Sequence, residues 1–224
     1  MQRLLAASRV IDRFLSAVGR AAAWLLIPMM LVIIVDVITR KFGLLNTAQD
    51  FLMNRGMTGP ADFVDTYLTS TKFQELEWHL HAALFLLCLG FGYVKNSHVR
   101  IEIVREKFDV RTKSWLEVTG IIFFIVPYTY LLFRYGFNFA ERSFNLNEVS
   151  SALTGLSHRW IIKSFVPIGM LLLFVAAMGV LFRNLVFLFG VPELRREAQS
   201  ICPELQMPET EVSDSGDVVE SKAE

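Results

Sequence analysis

Four long apolar runs, at about 21–37, 78–94, 115–133 and 160–182, constrain this 224-residue chain more than anything else in it. Each is roughly the length that crosses a ~30 Å hydrocarbon core as a helix. A helix in a water-soluble domain keeps a polar face, whereas these runs are apolar nearly all round. The reading is all-α: an integral membrane bundle of four transmembrane helices. Its function is then a membrane function.

Formal charge is zero overall but unevenly spread. From Glu204 to Glu224, seven acidic residues stand against Lys222 alone, so the remainder is net basic. That stretch has few large apolar residues to offset chain entropy, so 191–224 reads as an acidic, disordered cytoplasmic tail. Cys88 lies mid-helix and Cys202 lies in the tail, which predicts neither a disulfide nor a zinc site.

The first apolar run is long for a signal peptide, and no small-x-small cleavage site follows it. It reads as an uncleaved anchor. Upstream, Leu4, Ile11, Phe14, Leu15 and Val18 share one helical face, and Arg9, Arg13, Ser16 and Arg20 share another. Residues 1–20 are therefore expected as an amphipathic helix on the membrane surface. The alternative is that they continue the first spanning helix.

Lys and Arg counts set the orientation. The N-terminal stretch, the loop between the second and third runs and the start of the tail are about twice as rich in them as the other two loops. Both termini are expected in the cytoplasm. Residues 21–190 form the membrane domain, with a long outer loop at 43–74 that should make a small cap, weakly helical at 61–70. Asp109 is the expected N-cap of the third helix. Arg183-Asn184 breaks the fourth run, and 185–189 reads as an interfacial segment stopped by Gly190 and Pro192.

Charged groups gather near the outer ends of the runs: Asp36, Glu75, Glu77, His79 and His81, then Arg134 and Lys163. Acids on two helices would meet bases on the other two. That layer is either an ion path or a set of interhelical pairs and snorkelling side chains. No charge is expected at mid-membrane. On a helix Glu75 and His79 share a face, as do Glu77 and His81, but two ligands are too few for a closed zinc site. His79 or His81 facing His158 would suit bis-His haem, so a membrane cytochrome b-like electron carrier is the alternative function. Trp78, Trp115 and Trp160 mark the aromatic belt. Pro28, Pro127 and Pro167 are tolerated within spans. Ala82, Ala83, Gly90 and Gly92 would let a neighbouring helix approach closely. No GxSxG, Walker or HExxH motif is present, so no enzyme is indicated.

Several short motifs follow in order. Glu77-Trp78 opens the second span, and Ser97-His98-Val99-Arg100-Ile101-Glu102-Ile103 follows it. Then come Asn147-Glu148-Val149-Ser150, Gly155-Leu156-Ser157-His158-Arg159-Trp160 and Lys163, with Pro167 and Gly169 in the fourth span. This ensemble resembles the small membrane subunit of tripartite ATP-independent periplasmic (TRAP) transporters, the DctQ-like family, over about residues 8–189. His98-Val99-Arg100-Ile101-Glu102 stands where the family has His-Val-Arg-Val-Asp.

The resemblance implies a role and partners. Such a subunit sits in the bacterial inner membrane beside a large multi-spanning permease subunit that carries the substrate and sodium sites. A periplasmic binding protein delivers the solute, commonly an organic acid. No cofactor and no nucleic acid are implied, and membrane lipid is the remaining partner. Residues for structural or partner contacts are Glu77, Trp78, His98, Arg100, Glu148, Arg159, Trp160 and Lys163.

Overall fold

The structure, a computed structural model, describes residues 1–97, 108–152 and 154–201. The described residues are helical with no strand. Helices α1 (Gln2–Ala23) and α2 (Leu26–Phe42) run one way, and α5 (Ser70–Val94) returns. The third pass is α6 (Val110–Gly120), a π-helical turn (Ile121–Ile125) and α7 (Val126–Asn145). The fourth is α8 (Trp160–Phe189), followed by a short α9 (Pro192–Ile201). Four of these passes are long and apolar enough to cross a membrane.

Helix α8 is the hub. Helices α1, α5, α6, α7 and α9 all pack on it. Glycines set the spacing. A Cβ on Gly90 would stand 2.8 Å from the Leu172 carbonyl oxygen, and one on Gly169 would stand 2.9 Å from that of Leu86. Helices α5 and α8 thus meet backbone to backbone at two levels. Gly90 serves the bundle itself and not an outside helix. On the other side, Gly136 of α7 admits Val166 and Pro167. Leu15, Ile121, Leu172, Ala176, Ala177 and Val180 fill the core between these contacts.

Residues 1–20 do not lie apart from the bundle. Trp24, Leu25 and Ile27 each donate to the carbonyl three residues back. Pro28 has no N–H to offer the Trp24 carbonyl, so the chain tightens for one turn and resumes. Backbone angles stay right-handed through the step. Helices α1 and α2 are one near-continuous 41-residue rod. Residues 1–20 fall within α1, an amphipathic helix as expected, and it leads into α2 with only this one tightened turn between. Its stripe is also rotated: Leu5, Ser8, Leu15, Gly19 and Ala22 are buried and Phe14 is exposed. Small Ser8 and Gly19 permit the approach, and Gly19 leaves no room for a Cβ beside the Phe91 ring.

Pro127 acts similarly in the third pass. The π turn immediately before it absorbs the missing hydrogen bond, and the helix continues to Asn145. Asp109 occupies the N-cap position of α6 without a side-chain cap bond. Helix α8 also runs past its expected break, because Arg183 and Asn184 are buried and partnered.

Two further segments are more ordered than their composition suggests. The 43–74 loop holds α3 (Leu44–Asn54) and α4 (Thr58–Tyr67), packed on each other. Gly43 turns the chain out of α2 with φ of 59°, a left-handed conformation suited to glycine. Residues 192–201, expected within a disordered tail, form α9. Pro192 starts it, Leu194, Ala198 and Ile201 recur at helical spacing, and Ala198 is buried against Leu5 and Val186. Arg9 pairs with Glu197 across the contact. Residues 202–224 lie outside the described residues.

Candidate functional site

Two polar clusters close the bundle, one at the end that carries Trp160 and one towards the end that carries Phe189. At the Trp160 end the loop between α7 and α8 folds onto α5 through Glu75, which is buried. Its carboxylate accepts from the Ser150 hydroxyl and from the Leu156 N–H at 2.6 Å. Arg159 NH2 lies 3.6 Å away. Gly155 permits this closure, since a Cβ there would run into Ser150 and Glu75.

The loop is also tied to itself. Ser150 N–H donates to the Leu156 carbonyl at 3.2 Å, and Arg159 N–H to that of Glu148 at 3.3 Å. Lys163 pairs with Glu148, and its Nζ sits 3.9 Å from the centre of the Phe139 ring. Arg159 lies over Trp78 at 5.7 Å, and Trp160 meets Phe144 edge-on at 5.3 Å. Lys163 holds the Glu148 carboxyl below the ordinary glutamate range by its hydrogen bond, with Arg159 adding charge. Beneath lies a groove of about 480 Å³ lined by Trp78, Ala82, Leu86, Phe139, Lys163 and Val166.

The sequence motifs that were separate along the chain thus form one knot. Trp78, Glu148, Arg159, Trp160 and Lys163 come together. Glu77 does not: it is half-buried, with no ion-pair partner among the described residues. Residues 75 and 77 point some 200° apart on a helix, and the face that carries Ala83 and Gly90 selects Glu75. His98 and Arg100 lie outside the described residues.

Of the expected matching between acids on two helices and bases on the other two, Glu75 with Arg159 is found, and the other groups pair more locally. Asp36, also buried, pairs with Arg40 one turn along α2 and accepts from Ser70 at 2.8 Å. Arg134 donates to Asn138 on its own helix. His79 Nδ1 is 2.5 Å from the Glu75 carbonyl oxygen, and His158 Nδ1 is 2.9 Å from Ser157 Oγ.

The second cluster was not legible beforehand. Arg183 NH1 lies 2.6 Å from Asp12 Oδ2 and joins α8 to α1. Beside it Ser114 donates to Asn184 Oδ1 at 2.6 Å, joining α6 to α8, and Asn184 Nδ2 donates to the Val180 carbonyl at 3.0 Å. Arg183 is 2% exposed and Asn184 is fully buried. The available signal was the Arg-Asn pair inside an apolar run, together with an acid on the buried stripe of α1.

A protein-family model describing the DctQ component of tripartite ATP-independent periplasmic transporters matches residues 66–187, 122 of the 224 residues. The chain belongs to this family. No curated protein and no solved structure matches it. The DctQ match runs from just before α5 to the end of α8, so it takes in the whole Glu75 knot and both partners of the Ser114–Asn184 bond. Asp12 and the 41-residue first helix precede it. A DctQ component is a part of a transporter, not an enzyme, and works with a large permease subunit and a binding protein. With four spanning helices, this is a multi-pass membrane protein of a TRAP small-subunit type. The electron-carrier alternative gains no support from that membership.

Proposed function

We propose that this DctQ chain is the fixed scaffold of a sodium-coupled importer that takes an organic acid or a related solute from a periplasmic binding protein. One observation carries the reading. The middle of the bundle is filled by apolar side chains and by glycine-mediated backbone contacts, and the polar groups packed within it, Glu75, Asp12–Arg183 and Ser114–Asn184, fasten loops and helix ends. A bundle built this way braces a neighbour and offers no route for a solute. Both termini lie in the cytoplasm, following the Lys/Arg bias, and the α3–α4 cap faces the periplasm.

Liposomes test the transport claim. Vesicles holding this chain alone should take up no solute. Uptake should appear once the large subunit, the loaded binding protein and a sodium gradient are supplied. Sodium-driven uptake by the purified chain alone would sink the scaffold reading. Topology is read separately, in a chain with Cys88 and Cys202 replaced by Ser. A cysteine at Thr58 should react with an impermeant thiol reagent in intact cells, while cysteines at Arg3 and Ser213 stay shielded. The reverse pattern overturns the orientation.

A further inference from the structure

We infer that the outward face of α7 around Arg134 is the surface that receives the large subunit, and that the partner there supplies a carboxylate or unpaired carbonyls. The inference rests on the scaffold reading and names the face that does the bracing.

Depth is the first argument. On α5, Glu75 and Lys95 stand twenty residues apart, about 30 Å of helix, which is one hydrocarbon thickness. The same levels pass through Arg159 at one side and near Asp12 and Arg183 at the other. Gly169 packs at Leu86, roughly halfway between those levels, and Gly136 packs at Val166 and Pro167, about a third of the way in, with Arg134 about half a turn deeper. Arg134 therefore lies close to mid-membrane, not at the outer end of its span. The sequence expectation failed because α7 continues eleven residues beyond Arg134, to Asn145.

Direction is the second argument. Thr129, Gly136, Ala140 and Ser143 form the buried face of α7, and Arg134 is exposed on the other side. Leu131, Tyr135, Asn138, Arg142 and Asn145 are exposed with it. Its guanidinium reaches outward to Asn138, one turn nearer the helix end, which still leaves about two turns to climb. Among the described residues no carboxylate lies within ion-pair distance of it.

A charged side chain facing lipid at this depth is costly, and such residues ordinarily face protein or a water-filled cavity. Lipid tails offer no acceptor. A second copy of this chain across a twofold axis would bring Arg134 towards Arg134, like charge against like. A membrane-embedded partner of different sequence, with an acceptor at mid-depth, satisfies the group.

The test uses the full chain co-expressed with its cognate large subunit. Arg134→Leu should lower co-purification of the large subunit at least tenfold, while the melting temperature of the isolated chain stays unchanged or rises. Arg134→Lys should retain a substantial part of the association. A photocrosslinking amino acid at Leu131 or Tyr135 should form an adduct with the large subunit, and one at Ile34, exposed on α2, should not. A complex that forms normally with Arg134→Leu and gives no adduct from α7 overturns this face and leaves the scaffold reading intact. Adducts between two copies of this chain also overturn it. Failure of any complex to form removes both.

Discussion

The two polar clusters use the same chemistry for different ends. At the Trp160 end, Glu75 receives a serine hydroxyl, a backbone N–H and a nearby arginine, and the result is a folded loop. Near the Phe189 end, Asp12–Arg183 and Ser114–Asn184 join three helices side by side. The first cluster has solvent at its edge, with Arg159 22% exposed. The second is closed around its arginine, with the Arg183 side chain 2% exposed and that of Asp12 20%. The sealed Arg183 charge depends on its partner, whereas Arg159 has water to fall back on. The Phe189 end is therefore the stiffer joint, and the Trp160 end is the one that can yield to a partner.

The sharpest test of that contrast is Arg183→Ala. It leaves Asp12, whose side chain is 20% exposed, without its ion pair, which should cost about 3 kcal/mol, the low end for a buried pair, read by thermal unfolding in detergent. The double variant Asp12→Leu with Arg183→Leu should recover most of the loss, because no orphan charge remains. If Arg183→Ala alone is neutral, the closed joint is not what holds α1 to α8.

Glu75→Ala should cost less, about 2–3 kcal/mol for the hydrogen bonds to a charged group. Limited proteolysis should then cut between Asn147 and Arg159, and loss of stability without exposure of that loop would break the assignment. Glu77→Ala, two residues along, should stay within about 0.5 kcal/mol of the parent. An equal effect at both positions would mean that the face of α5 has been misread.

The smallest effect is a pH dependence of the open cluster. The Glu148 carboxyl is held below the ordinary glutamate range by Lys163. A depressed pKa contributes stability that is complete above the unfolded value and is lost as pH falls through the folded one. Glu148→Gln should therefore lower the melting temperature slightly at neutral pH and not at all at the acid end of the titration. A difference that grows on acidification would reverse the sign of the argument.

How far the chain could be read follows from the range of each interaction. The spans were visible because hydrophobicity accumulates along sequence; of the tryptophans at 78, 115 and 160 only Trp160 opens its helix, while Trp78 and Trp115 lie about one to two turns inside α5 and α6. Glu148, Arg159 and Lys163 were identifiable as polar motifs near the end of a span. Glu75 was preferred to Glu77 only once α8 had chosen a face of α5. Asp12–Arg183 joins residues 171 positions apart, and no local pattern announces it. The 192–201 helix escaped notice because its short apolar stripe gains its stability by docking on Leu5 and Val186.

Sequence by itself determined that this chain lives in a membrane, where its four passes lie and that they belong to the DctQ pattern. These follow from the cost of placing peptide and charge in hydrocarbon, which each segment meets alone. Tertiary structure decided which face of each helix is inward and which acid meets which base. Those depend on how neighbouring helices align, and glycine contacts such as Gly90 on Leu172 set that alignment. Arg134 shows the difference most plainly. It closes an apolar run when read along the chain, yet its helix continues eleven residues further, to Asn145.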